Sequence, residues 1–215
     1  MKKQHIFTLL IITAFSSCSE DKETVFWNWF SANQYKIYDN LEHLTMNDPI
    51  VDELAEKLKE VDSNLIFEIG PKKVNGRAEI SISADGMEES FSSVINLVER
   101  KPEIPKWNII AFRQRNKGDE LYLEYQNYKI GYDDIYFEYE INQNSELDIK
   151  LYISNYDNSG NMQNAVFLLL DSLIGEYDAV KKISSIEWYN LSGHEKTKFH
   201  KFVALRKIVD NINGS

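Results

Sequence analysis

Residues 135–141 read Ile-Tyr-Phe-Glu-Tyr-Glu-Ile, and residues 147–153 read Leu-Asp-Ile-Lys-Leu-Tyr-Ile. The second run alternates apolar and polar side chains throughout, the period of a strand with one buried face. The short polar connection between the runs makes them an alternating hairpin. Ala165 to Ile174 is a strongly apolar helix with Gly175 as its C-terminal stop. Lys182 to Tyr189 is a closing strand, so the order is β-β-α-β.

The same order stands earlier in the chain. Leu65-Ile66-Phe67-Glu68-Ile69 reads as a strand ended by Gly70-Pro71, and Asn75-Gly76 is a hairpin-turn signal. Ala78, Ile80, Ile82 and Ala84 alternate with Glu79, Ser81 and Ser83. Phe91, Val94, Ile95 and Val98 mark a helix that stops before Pro102, and Trp107 to Phe112 is a strand. Phe67-Glu68 matches Phe137-Glu138 at an offset of 70 residues. The chain is therefore expected to hold two β-β-α-β units, at about 64–113 and 134–190, with a short hairpin (Leu121 to Tyr125, Tyr128 to Ile130) between them.

Helices flank this frame. Phe26, Phe30, Ile37, Leu41 and Leu44 form a helical stripe with Thr24 as N-cap. Asp48-Pro49 opens a second helix with the stripe Ile50, Leu54, Leu58 and Val61, and the two pack as an αα-hairpin. A last helix over Lys198 to Ile212 carries Phe199, Phe202, Val203, Leu205, Ile208, Val209 and Ile212. The expected fold is α+β, a largely antiparallel sheet with one face under the two amphipathic helices. With no Pro/Ser/Gly linker between the units, they are expected to share one core.

The whole chain has 215 residues, a net charge of −10, one cysteine, nine glycines and four prolines, with 43% hydrophobic and 27% charged residues. That is a globular composition long enough to bury a core without disulfides. One cysteine excludes an internal disulfide and a Cys-based zinc site. The acidic balance argues against nucleic acid as a partner.

The N-terminus supplies an address. Lys2 and Lys3 precede the apolar run Ile6 to Phe15, which is half a membrane span but the length of a secretory signal core. Phe15-Ser16-Ser17-Cys18 resembles the bacterial lipoprotein cleavage box. The resemblance implies a signal peptide at 1–17, diacylglycerol on the Cys18 sulfur with acylation of the new N-terminus, a lipidated tether at 18–24 and one α+β domain over 25–215. Two or more acyl chains hold a soluble domain on a membrane stably. Ser19-Glu20-Asp21-Lys22-Glu23 resembles the acidic tether of surface-exported lipoproteins in Bacteroidetes-type bacteria, which implies an outer-membrane or cell-surface location. Removal of Lys2 and Lys3 takes the net charge to −12, so lipid rather than basic charge would hold the domain at a membrane.

A second resemblance rests on Phe26-Trp27-Asn28-Trp29-Phe30 and on residues 165–178, above all Leu169-Leu170-Asp171-Ser172-Leu173-Ile174-Gly175-Glu176-Tyr177-Asp178. These resemble landmarks of an uncharacterised bacterial α/β family that opens with a WxWF-type helix. The resemblance covers most of residues 25–190 and implies the fold; it brings no activity, cofactor or catalytic residue.

No catalytic constellation stands out. His194 and His200 are six residues apart, whereas a helical zinc pair needs four, and lysines surround them. Asn155 to Gly160 places oxygen donors as a calcium loop would, but Val166 stands where a bidentate Glu is required. A turn entering a helix explains the segment better. Ser90, Ser92 and Ser93 lack a nucleophile elbow, and no phosphate loop or dinucleotide fingerprint exists. Glu68 and Glu138 hold equivalent strand positions; brought together, they would form a carboxylate pair suited to acid/base chemistry, while strand alternation alone would point both to solvent. Trp27 and Trp29 cannot both be buried by one helix face, and Tyr122, Tyr125, Tyr128, Tyr132, Tyr136 and Tyr139 cluster in the middle segment, so exposed aromatics could serve a protein or glycan partner. No cofactor or metal is expected. The leading expectation is a lipid-anchored, non-catalytic interaction module; the alternatives are a carboxylate-dependent hydrolase and an immunity-type protein neutralising a basic toxin.

Overall fold

The computed structural model describes residues 21–45, 47–70, 73–191 and 196–212. Helices α1 (Lys22–Asp39) and α2 (Pro49–Val61) lead into β1 (Ile66–Ile69), β2 (Ala78–Ser83), α3 (Phe91–Glu99) and β3 (Trp107–Ala111). The short strands β4 (Tyr122–Tyr125) and β5 (Tyr128–Gly131) follow. The second half is β6 (Ile135–Ile141), β7 (Leu147–Ile153), α4 (Gly160–Ile174), α5 (Glu176–Lys182), β8 (Ile183–Asn190), β9 (His200–Lys201) and α6 (Leu205–Ile212). The fold is α+β, and its strands are mostly antiparallel.

Both β-β-α-β units form, each as its own sheet. The first runs β1-β2-β3 and the second β8-β7-β6-β9. In each unit a hairpin is antiparallel and the strand after the helix returns parallel, β3 beside β2 and β8 beside β7. A crossover through a helix produces this, because it brings the chain back to the same end of the sheet before the next strand starts.

The expected shared core is replaced by two cores. One joins α1, α2 and α3 to the first sheet around Phe26, Phe30, Leu58, Ile80 and Trp107; the other joins α4 and α6 to the second sheet around Phe137, Leu151, Leu169 and Phe202. Each sheet turns its alternating apolar face to its own helices, so each unit closes its own layer pair. The β4–β5 hairpin that connects the units packs with the second core, through Leu123, Tyr125, Tyr128 and Ile130.

Several boundaries differ from the expectation; α4 starts at Gly160 rather than Ala165, and α1 ends at Asp39, before Leu41 and Leu44. Helix α1 starts a turn early because Asp21, not Thr24, is the N-cap; the Asp21 carboxylate accepts from the Thr24 amide at 2.8 Å. The closing strand of the second unit begins at Ile183 because Lys182 is the last residue of α5. The C-terminal helix begins only at Leu205, and His200–Lys201 adds instead to the free edge of β6. Phe199, Phe202 and Val203 mimicked a helical stripe, yet Phe199 stacks on Tyr152 at 3.8 Å while Phe202 enters the core.

Candidate functional site

The two halves meet where the C-terminal ends of β2 and β3 receive the segment Asp171–Asp178. Phe112, just past β3, has φ +64°, a strained conformation for a bulky side chain. Its amide still donates to Ile82 O at 2.8 Å, and its ring packs against Phe91 and Tyr177. The turn it makes aims the Arg113 amide at Glu176, which accepts it at 3.1 Å.

Glu176 is fully buried, and its carboxylate is saturated from the opposite half. Its Oε1 accepts from Ser83 Oγ at 2.8 Å, the Ala84 amide at 3.1 Å and the Gly86 amide at 3.3 Å. Ser83 Oγ in turn accepts from the Asp85 amide, and Asp85 and Gly86 both take positive φ, so the turn wraps the carboxylate. A buried charge persists only with such a shell. The preceding residue, Gly175, has φ +84° and ψ 142°, a conformation open essentially to glycine alone. A Cβ there would stand 3.4 Å from Arg115 Cγ.

Arg113 lies beside this latch. Its guanidinium pairs with Glu68, with Asp85 at 2.9 Å and with Asp171 at 3.2 Å. Burial works against its charge, but Glu68, Asp85 and Asp171 hold it protonated above the ordinary arginine range. One guanidinium is thus divided among three carboxylates. Asp171 is left under-compensated: burial, opposed by Arg113 and reinforced by the negative Glu176, pushes its carboxyl up to about 7. Arg115 extends the seam, donating to Ile174 O, Asp178 and Asp210.

A cleft of about 750 Å³ opens over this seam. Asp85, Arg113 and Asp171 are its charged lining residues, and Tyr125, Phe167 and Trp188 its aromatic ones. Phe167 meets Trp188 edge-on with centroids 5.4 Å apart and is 44% exposed, so the aromatic wall is open to solvent. Strand β8 runs along the cleft and contributes Ile183, Ser184, Ser185 and Ile186.

The residues singled out in the sequence fall mostly elsewhere. Glu68 and Glu138 are both exposed, on different sheets with different partners: Glu68 pairs with Arg113, and Glu138 accepts from Tyr152 Oη at 2.7 Å. The structure does not bring them together, and strand alternation accounts for both. Trp27 is buried and donates from Nε1 to Leu97 O at 2.8 Å, whereas Trp29 is half-buried and donates to Glu53 at 2.7 Å; both tie α1 to its neighbours. Of the tyrosines, Tyr125 reaches the cleft, Tyr132 is buried and Tyr122 is exposed.

The segment Asn155–Gly160 is the turn entering α4. Ser159 caps that helix, accepting from the Met162 amide at 3.2 Å, and Asp157 accepts from Tyr128 Oη at 2.6 Å. His200 packs against Phe137 and Tyr139, and among the described residues no group of three or more His, Cys, Asp or Glu side chains is arranged to hold a metal. Cys18 and the signal-like segment, and His194, lie outside the described residues.

Sequence reading missed Asp171, Glu176, Arg113 and Trp188 as site residues. A signal was present: Asp171 interrupts the apolar helix Val166 to Ile174, and Arg113 and Arg115 follow directly on a strand in an acidic chain. Comparison with protein families, with curated proteins and with solved structures found no match to this chain. What fold and site define is an α+β protein of two latched β-β-α-β halves with a cleft at their junction.

Proposed function

We propose that the chain is a lipid-anchored protein of a bacterial envelope, at the outer membrane or cell surface, that works as a non-catalytic interaction module through the cleft at the junction of its halves. The resemblance of Phe15-Ser16-Ser17-Cys18 to a lipoprotein cleavage box supports the anchor. The observation that carries the binding role is the cleft itself: its aromatic wall is open, while the buried polar groups behind it are already paired with one another. Aromatic surface beside satisfied polar groups suits recognition, since the aromatics contribute area and the fixed network keeps the shape. Among the described residues no helix is long and apolar enough to cross a membrane.

The test is capture of an envelope partner, protein or glycan, by the full chain and by the Phe167→Ala/Trp188→Ala variant. Retention by the natural chain and at least tenfold weaker retention by the variant is the expected result. Equal retention by both, or none by either, would overturn the role of the cleft.

A second reading, a carboxylate-dependent hydrolase, draws on Asp171. A carboxyl held near 7 within a cleft is the property of a general acid. Among the described residues Asp171 is the single carboxyl of this kind, and the Glu68–Glu138 pair that would have supplied a second is not assembled.

A further inference from the structure

Strand β8 is eight residues long and, among the described residues, pairs only with β7. Ile183–Ile186 and Trp188 of this strand line the cleft. The other free edges belong to shorter strands: β1 has four residues and β3 has five. Long free edges are usually blunted by Pro or Lys, or covered. Residues 183–190, Ile-Ser-Ser-Ile-Glu-Trp-Tyr-Asn, contain neither Pro nor Lys, and a one-residue bulge at Ser184 is the only irregularity. From Ser185 to Asn190 the strand pairs regularly with β7, and its other edge carries backbone donors and acceptors that, among the described residues, no further strand takes up.

The charge of the cleft is one-sided. Arg113 is consumed by Glu68, Asp85 and Asp171, and Asp85 keeps 60% of its side chain exposed. Next to these carboxylates stand the rings of Tyr125, Phe167 and Trp188, whose faces also attract cations. Strand β8, the aromatic wall and two of the three carboxylates that share the single Arg113 guanidinium, Asp85 and Asp171, all border one cavity.

We infer that the cleft takes a basic peptide segment in extended conformation, which adds alongside β8 by main-chain hydrogen bonds and seats a Lys or Arg side chain between the aromatic wall and Asp85. Main-chain pairing supplies affinity in this mode, and pockets for alternate side chains supply selectivity. The inference rests on the interaction-module reading above and names the chemistry of its partner.

The probe is an acetylated, amidated heptapeptide of alternating valine and lysine, titrated calorimetrically into the full chain beside two analogues. One replaces lysine by glutamine; the other carries N-methyl groups on alternate backbone amides. Binding of the lysine peptide is expected, with at least tenfold loss on going to glutamine, on N-methylation, and in Trp188→Ala or Asp85→Asn. Asp39→Asn, an exposed acid at the far end of α1, should leave affinity within twofold. Equal binding of all three peptides, a loss in Asp39→Asn matching that in Asp85→Asn, or no binding would overturn the inference. If none of the peptides binds while an envelope partner is still retained through Phe167 and Trp188, the peptide assignment alone has failed; if that retention is also absent, the interaction-module reading has failed with it.

Discussion

Ser83, at the end of β2 in the first half, donates its hydroxyl at 2.8 Å to Glu176 at the start of α5 in the second. The two residues are 93 positions apart, and both are fully buried. Around this bond the Ala84, Gly86 and Arg113 amides converge on the same carboxylate, so one side chain from one half satisfies backbone donors of the other. Glu176→Ala would remove the acceptor of the buried Ser83 hydroxyl and Ala84 amide and of the part-buried Gly86 and Arg113 amide bonds. It should destabilise the protein by about 3 kcal/mol or more, seen as a lower denaturant midpoint. A loss near zero would show that the latch does not bind the halves together.

Asp171 gives the protein a pH dependence of defined sign. Its folded pKa, about 7, lies above the ordinary carboxylate value of 3.8. Between those values the unfolded chain releases the proton and the folded protein keeps it, so stability contributed by this group is present at low pH and lost as pH rises from about 4 through 7. Asp171→Asn keeps a polar group facing Arg113 and cannot ionise. The difference in melting temperature, variant minus natural chain, should therefore grow across that window and level off above it. A flat difference would refute the assignment.

The same carboxyl reports on its neighbour. Glu176→Gln removes the negative charge that helps raise Asp171, so the Asp171 pKa should fall toward the ordinary range while Arg113 stays in place. Carboxyl chemical shifts followed by NMR titration distinguish this from a pKa that burial alone sustains, which would stay near 7.

Gly175 holds the turn between α4 and α5 at φ +84°. Gly175→Ala should cost roughly 1–3 kcal/mol from backbone strain, with Arg115 Cγ, 3.4 Å from the added methyl, giving way. Gly160, where a Cβ would meet nothing within 4 Å, is the control: Gly160→Ala should be neutral or slightly stabilising in the same unfolding measurement.

The repeat was legible because strands advertise themselves locally. The alternation at Leu147–Ile153 and Ala78–Ser83 placed both hairpins, and Gly175 placed a helix end. The two cores were not legible, since each sheet's choice of helix partner depends on packing between distant segments. Phe199 and Phe202 looked like one helical face because their spacing of three suits a helix; only the pairing of His200–Lys201 with β6 separates them. The site was hidden for a related reason. Glu68 and Glu138 were conspicuous as matching strand positions, whereas Asp171, Glu176 and Arg113 acquire meaning only when residues some 60 to 90 positions apart meet. Their local marks, an acid within an apolar helix and two arginines after a strand, are visible once one knows to look.

The reading of this protein as a lipid-held envelope module turns on Cys18, which would carry the acyl chains. Detergent phase partitioning of cells expressing the natural chain and Cys18→Ala measures it directly. The account predicts the natural chain in the membrane and detergent fractions, and the variant, with its fold unchanged by circular dichroism, in the aqueous fraction. A Cys18→Ala protein that stays with the membrane would contradict it.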